Sequence, residues 1–244
     1  MKTNFFALLV ASICLLSCQN APVSTAPTSK SPEPIRRLAQ ADATDRNFNV
    51  ITFNDLQDGD VIFQRSQSKQ APAIAEATGS EWTHVGLIFG SEENGWVVYQ
   101  SGAKTPTPLT SFLKQGIGGH VVRRLAEGVA KESLTQKNLE VLKQAAHNLA
   151  QKPYDILFQW SDSQIYCSEL VYKAYLAATE LKIGNLQTWG DLKRDGPELA
   201  ALVLARLRKL PSEFNVKELK EDIITPQAQF DSDLLVDVGI LAND

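Results

Sequence analysis

A single cysteine late in the chain, Cys167, opens a stretch with helical periodicity and is the first candidate for covalent chemistry. From Leu170 onward the apolar residues recur at intervals of three and four, which is typical of the buried face of a helix, and Gly184 is the predicted stop. A thiol in the first turn of a helix lies beside N–H groups that have no intrahelical partner. Their partial positive charge lowers the pKa of the thiol. The pattern therefore predicts a thiolate nucleophile at a helix N-terminus.

Thiol catalysis also needs an imidazole to hold the proton, and the chain has 3 histidines. His147 lies in a predicted surface helix, and His120 begins a strand beside a glycine-rich turn, which is more typical of a structural histidine. His84 begins the most apolar strand, residues 84–89, and a rigid scaffold presents catalytic groups well at strand ends. We therefore take His84 as the candidate base, although the spacing alone fits a buried structural histidine equally well.

A third polar residue, Gln100, ends the strand that follows. The turn at residues 90–95 joins strands 84–89 and 96–100 into a hairpin, in which the start of one strand lies beside the end of the other. The amide oxygen of Gln100 can then accept a hydrogen bond from the second ring nitrogen of His84. A nucleophile, a base and an orienting group are the set that acyl transfer requires.

The elements that must position these residues follow in an order typical of an α+β fold. The predicted strands are short and apolar: residues 61–63, 84–89, 96–100 and 120–125. The predicted helices cover residues 71–78, 132–151, a stretch beginning at 167, and 197–210, the last with Asp195 as N-cap. An extended segment is expected at 222–226. Because most strands precede most helices, we expect an antiparallel sheet packed against helices.

The composition indicates one ordinary globular domain and argues against a nucleic-acid partner. Hydrophobic residues make up 43% of the 244, and 24 Lys and Arg against 28 Asp and Glu leave a formal net charge of −4 with no long basic run. We expect a single domain at residues 46–244, with a C-terminal extension from about residue 212. There is no Cys-x-x-Cys or His-x-x-x-His pattern, so we expect neither a metal nor a cofactor.

The N-terminus predicts export. Lys2 precedes an apolar stretch at residues 5–16, which is the layout of a signal peptide spanning residues 1–18. The following Leu-Leu-Ser-Cys resembles the lipobox of bacterial lipoproteins, which implies that Cys18 is lipidated; ordinary secretory cleavage nearby is the alternative. Gln19 then suggests the outer membrane, and the Pro-, Ser- and Thr-rich residues 19–45 read as a flexible linker. With Cys14 removed and Cys18 acylated, Cys167 is the only free thiol of the mature chain.

Four motifs occur together in a specific order. They are Asp-Gly-Asp-Val-Ile-Phe at 58–63, Trp-Thr-His-Val-Gly at 82–86, Tyr-Asp at 154–155 and Tyr-Cys-Ser-Glu-Leu-Val at 166–171. This order resembles the permuted papain-like cysteine hydrolases of the NlpC-related superfamily, in particular the YiiX-like branch. In most papain-type enzymes the cysteine precedes the histidine, and a circular permutation explains why His84 comes first here. The resemblance covers about residues 53–181.

The resemblance implies a permuted papain-like fold with Cys167 as nucleophile at a helix N-terminus and His84 as general base and acid. Relatives often carry a glutamate where this chain has Gln100, and a neutral amide stabilises an imidazolium less than a carboxylate does. Residues within or next to the motifs are expected to contact the substrate, with simple packing as the alternative for the tyrosines: Tyr154, Tyr166, Trp82 and Ser168.

The leading functional hypothesis is a lipid-anchored amidase or peptidase of the cell envelope. It would cleave a small peptide or acyl-amide substrate, with the peptide stems of peptidoglycan as the favoured class, and would face the periplasm from the outer membrane. A second hypothesis is a lipid acyl hydrolase or acyltransferase acting at the membrane to which Cys18 tethers it. A third is a catalytically weak binding module in which Gln100 is merely structural.

Overall fold

The computed structural model describes residues 48–193, 196–201 and 221–242. The strands are β1 (Val50–Ile51), β2 (Val61–Gln64), β3 (His84–Ser91), β4 (Gly95–Tyr99), β5 (Thr107–Pro108), β6 (His120–Leu125), β7 (Gln187–Thr188), β8 (Asp222–Ile223) and β9 (Leu235–Leu241). The helices are α1 (Ala71–Thr78), α2 (Leu109–Leu113), α3 (Glu127–Ser133), α4 (Gln136–Ala150), α5 (Cys167–Thr179) and α6 (Pro226–Phe230), with 3-10 turns at Phe53–Asp55 and Trp189–Asp191. Residues 197–201 are also helical.

Seven of the strands form one sheet in the order β1-β9-β6-β2-β3-β4-β5, and β7 pairs with β8 separately. Neighbours in the large sheet are antiparallel, except that β1 runs parallel to β9. The expectation of an antiparallel sheet is corrected at this edge only. The parallel pair arises because β9, from the far end of the chain, inserts between β1 and β6.

The central strand β3 is buried on both faces, which explains its nearly continuous apolar sequence. Val85, Leu87 and Phe89 pack in the larger core cluster together with residues of α4 and α5. Ile88 faces the other way and packs in a second cluster with residues of β2, β4 and α2. Helices therefore cover the sheet on both sides, and the α+β prediction is confirmed.

The predicted helices differ from the observed ones at their ends. The helix expected at residues 132–151 is α4 preceded by the separate helix α3, because the Thr135 side chain accepts a hydrogen bond from Asn138 N–H and starts a new helix. α5 ends earlier than predicted, at Glu180, which takes the left-handed conformation with φ 61°. Gly184 serves a different purpose: a Cβ there would lie 2.6 Å from the carbonyl oxygen of Ala228. Its lack of a side chain permits this close approach of α6.

Short or late strands were not predicted at all. β1 and β5 have two residues each, too few to show a period, and β9 lies in a tail of mixed composition. The extended segment expected at 222–226 contains β8 and the start of α6. Residues 1–47, with Cys18 and the linker, lie outside the described residues, as do Asp195 and residues 202–210. Within the described part of the chain, no helix combines the length and apolarity needed to span a bilayer.

Candidate active site

Cys167 is the first residue of α5, where the periodicity placed it. Tyr166 precedes it as the N-cap in extended conformation, and Cys167 is 2% exposed. Glu169, in the first turn, accepts a hydrogen bond from Tyr166 N–H at 3.4 Å and pairs with Lys173 at 2.8 Å. Burial raises the pKa of Glu169 to about 7, against the lowering effect of Lys173. The first turn therefore carries little uncompensated negative charge beside the thiol.

His84 begins β3, and its ring is bonded to both of its predicted partners. Nε2 donates to Oε1 of Gln100 over 2.5 Å, and the side chains of His84 and Cys167 hydrogen-bond each other. Because Nε2 is engaged by Gln100, Nδ1 is the nitrogen left to face the sulfur. Phe112 stacks on the ring, with centroids 5.8 Å apart and planes 26° apart. The structure thus brings the three predicted residues into one hydrogen-bonded series.

Cys167 and His84 shift each other's pKa towards the charged pair. Burial by itself would raise the pKa of the thiol, but the hydrogen bond and charge of His84, together with the N–H groups of Ser168 and Val85, bring it below its ordinary value. Burial likewise opposes protonation of His84, yet the charge of Cys167 and the bonds to Cys167 and Gln100 raise the imidazole pKa above 6.5. A thiolate facing an imidazolium is therefore the favoured state near neutral pH.

Gln100 reaches His84 across a residue that has no side chain. It directly follows β4, and the β3–β4 register places it opposite Gly86. Strand alternation puts His84, Gly86 and Gln100 on the same face of the sheet. A Cβ at Gly86 would lie 2.5 Å from Cγ1 of Val98 and 3.7 Å from Cβ of Gln100. The glycine thus leaves the space through which the amide extends to the ring.

Three of the residues predicted to contact substrate have structural roles. The ring of Trp82 stacks on Phe230 with centroids 5.1 Å apart. The hydroxyl of Tyr166, a residue 1% exposed, accepts a hydrogen bond from Ile224 N–H at 3.1 Å. Ser168 donates its hydroxyl to the Ile224 carbonyl at 2.8 Å, from 56 residues earlier in the chain. All three are buried among protein groups, which leaves them no free face for a substrate.

The fourth, Tyr154, is partly exposed and stays a candidate for substrate contact. Its hydroxyl accepts a hydrogen bond from Nε2 of Gln70 at 2.6 Å. The neighbouring Asp155 is buried, and its carboxylate accepts the N–H groups of Leu157 and Gln159 at 2.7 and 2.6 Å. Asp155 therefore shapes the loop that leads from α4 to the nucleophile, which explains the aspartate in the Tyr-Asp motif.

Sequence reasoning missed four residues that surround the series. Phe112 stacks on the imidazole, while Thr107 and Gln115 accept hydrogen bonds from Nε2 of Gln100 at 3.0 and 3.4 Å. Gln229 donates to the carbonyl of the residue after Cys167 at 2.9 Å and so holds the first turn of α5. No periodicity or motif marks these positions, because each acts through a contact made by the tertiary fold.

The fold and the site together define a class of protein. A cysteine at a helix N-terminus and a histidine at a strand start, with the histidine earlier in the chain, form the arrangement of a papain-like hydrolase in permuted order. Residues 55–238 match a family model described as the permuted papain-like amidase enzymes YaeF/YiiX, the C92 family. The chain belongs to this family, and at the level of class it is a cysteine amidase-type hydrolase. The resemblance drawn from the motifs is confirmed.

Two relatives from Escherichia coli support the assignment. The chain is 34% identical to the YiiX protein of strain K12 over 183 residues, which are 75% of this chain and 86% of that protein. A crystal structure of yiiX from strain O157:H7, titled a metalloprotein, matches with a TM-score of 0.65 at 32% identity, covering 78% of this chain and 98% of that one. Among the residues described here, no group of three or more His, Cys, Asp or Glu side chains is placed to hold a metal ion.

Proposed function

We propose that this protein is a cell-envelope cysteine amidase that cleaves peptide-stem-like amide bonds through an acyl-enzyme on Cys167. His84 serves as general base and acid, and Gln100 orients the imidazole. The observation that carries the proposal is the hydrogen-bonded series of Cys167, His84 and Gln100. Membership of an amidase family supports an amide as the bond that is cleaved.

The first half of the reaction forms the acyl-enzyme. The Cys167 thiolate attacks the carbonyl carbon of the substrate, and the carbonyl π electrons move to oxygen to give a tetrahedral oxyanion. The N–H of Cys167, which has no intrahelical acceptor at the start of α5, is available to donate to this oxygen. When the intermediate collapses, His84 passes its proton to the leaving nitrogen and the C–N bond breaks. A thioester on Cys167 and a neutral imidazole remain.

The second half releases the acid. His84 removes a proton from water, whose oxygen attacks the thioester carbon, and collapse of the second tetrahedral intermediate expels the thiolate. The imidazolium and the thiolate are then restored as a pair. The raised pKa of His84 suits both steps, because the ring must hold a proton before acylation and accept one before deacylation.

The location in the envelope is supported by the N-terminal sequence. A signal-peptide layout, the Leu-Leu-Ser-Cys sequence ending at Cys18 and Gln19 after it favour a lipid anchor in the outer membrane. The linker at residues 19–45 would let the domain reach peptide stems from that anchor. Labelled palmitate should be incorporated into the wild-type protein and not into Cys18→Ala; equal labelling of both would exclude Cys18 as the lipid site.

The substrate class is tested by trapping the acyl group on the enzyme. The protein is incubated with envelope extract, quenched with acid, and the mass of the peptide that carries Cys167 is measured. A peptide-derived acyl group is the expected adduct. A fatty acyl group would instead favour the lipid hydrolase or acyltransferase, and no adduct with any envelope fraction would favour the binding module.

The catalytic assignment is tested with three variants on the substrate so found. Cys167→Ala and His84→Gln should each lower kcat/KM by roughly 10³-fold or more, since residues that act as a unit lose nearly everything together. His147→Gln, at a histidine on the outer helix α4, is the matched control and should retain activity. Full activity in Cys167→Ala would overturn the proposal, as would resistance of the folded wild-type thiol to iodoacetamide at neutral pH.

A further inference from the structure

A neutral amide in the third position creates an orientation problem that a carboxylate would not have. Only Oε1 of Gln100 can accept the proton on Nε2 of His84, because the other end of the amide is a donor. Turning the carboxamide by 180° would set two donors against each other and break the hydrogen bond observed at 2.5 Å. The site therefore depends on whatever fixes the amide of Gln100.

Thr107 is placed to fix it. The amide nitrogen of Gln100 donates to Oγ1 of Thr107 at 3.0 Å, and Thr107 is held in β5 opposite Val98 of β4. Gln100 is 6% exposed, so water cannot readily replace the hydroxyl. The second acceptor, Oε1 of Gln115, lies at 3.4 Å on an exposed residue and makes a weak contact at most. Thr107 therefore supplies the main restraint.

We propose that Thr107 is a positioning residue whose hydroxyl holds the amide of Gln100 with its oxygen towards His84. The proposal rests on the proposed function, in which Gln100 orients the imidazole. Thr107 acts only through Gln100. Its consequence is a more stable imidazolium, because an N–H donated to a carbonyl oxygen favours the protonated ring.

The test measures the pKa of His84 in the absence of substrate, by NMR titration of the histidine rings. His84→Gln assigns the resonance. Thr107→Val removes the hydroxyl and keeps the shape, and Thr107→Ser is the matched control that keeps the hydroxyl. We expect Thr107→Val to lower the pKa of His84 by about 0.5 to 1 pH unit. Thr107→Ser should shift it by less than about 0.3 unit. Among the described residues Cys167 is the ionisable group that acts on His84, and it is the same in every variant.

The same two variants are then made in a Gln100→Glu background. Either carboxylate oxygen can accept from His84, so the shift caused by Thr107→Val should fall to less than about half of its value in the wild type. Equal shifts in the two backgrounds, or equal shifts for the valine and serine variants, would overturn the proposal. If Thr107→Val does not fold, Thr107→Ala serves as the second hydroxyl-free variant.

Activity provides a second readout. With a cleaved substrate, Thr107→Val should lower kcat roughly fivefold with little change in KM. The two proposals fail separately. If no amide is cleaved, the proposed function fails although the pKa shift can still appear; if hydrolysis is normal and the pKa does not move, only the role of Thr107 fails.

Discussion

The group that accepts the proton-bearing nitrogen of His84 should set how strongly the enzyme holds its catalytic ion pair. Gln100 offers a neutral oxygen at 2.5 Å, and the residue is 6% exposed, so solvent screens the contact little. Gln100→Glu replaces the amide by a charged acceptor, and Gln100→Leu removes the acceptor while keeping a similar volume. The three proteins form a graded series in which only the acceptor changes.

The expected size of the effect follows from hydrogen-bond energies. A neutral hydrogen bond contributes about 1 kcal/mol, and one to a charged group about 1.5–3 kcal/mol. A pKa unit corresponds to about 1.36 kcal/mol, so the pKa of His84 should rise by about one unit in Gln100→Glu and fall by about one unit in Gln100→Leu. Burial of the new carboxylate costs free energy, which the imidazolium and the Thr107 hydroxyl partly offset. This cost is why the rise stays near one unit.

The assay is the pH dependence of kcat/KM on the identified amide substrate. The alkaline limb, where the Cys167–His84 pair loses its imidazolium proton, should move up for Gln100→Glu and down for Gln100→Leu, and kcat/KM of the leucine variant should fall roughly tenfold. Thermal unfolding establishes that each variant is folded. An alkaline limb at the same pH in all three proteins would refute the reasoning, since Gln100 would then have no electrostatic effect on the ring.

Two further predictions test the surroundings of the site. In Gly86→Ala the new Cβ would lie 2.5 Å from Val98 Cγ1, so we expect a loss of about 1–3 kcal/mol in the free energy of unfolding and a lower kcat, whereas Gly128→Ala, with nothing within 4 Å, is the neutral control. Urea unfolding and kinetics measure both, and an unperturbed Gly86→Ala would show that the gap is dispensable. Burial lowers the pKa of His120 from 6.5 to about 4, so the unfolded chain takes up this proton first as the pH falls. Stability present above pH 6.5 should therefore decline by about 3 kcal/mol between pH 6.5 and 4, and His120→Phe should remove that part of the decline. Other titrating groups such as Glu169 are common to both proteins and cancel in the comparison, so identical pH slopes would contradict the prediction.

Local patterns predicted the elements that carry the chemistry. The three-and-four spacing after Leu170 placed Cys167 at a helix start, and α5 begins at that residue. The apolar run after His84 placed the histidine at a strand start, and β3 begins there. Both predictions succeeded because each element is long enough for its period to appear in the sequence and because its burial is nearly complete.

Elements that depend on distant partners escaped prediction. β9 has an ordinary mixed sequence, and it is a strand because β1 and β6 supply hydrogen bonds on both sides. Gly184 was taken as a helix stop on local grounds, but the helix ends at Glu180 and the glycine accommodates the backbone of Ala228. Local propensity cannot distinguish these uses, because the deciding contact is made elsewhere in the chain.

The sequence by itself determined the nucleophile and the base as candidates, their order along the chain and the family to which that order belongs. Only the tertiary structure decided how the residues around them divide between site and scaffold. It brought Gln100 to His84 through the gap at Gly86, and it buried Trp82, Tyr166 and Ser168 against residues of the C-terminal segment. The physical reason is that residue type and spacing record the local backbone, whereas a side chain's role depends on which distant groups satisfy its hydrogen bonds and cover its surface.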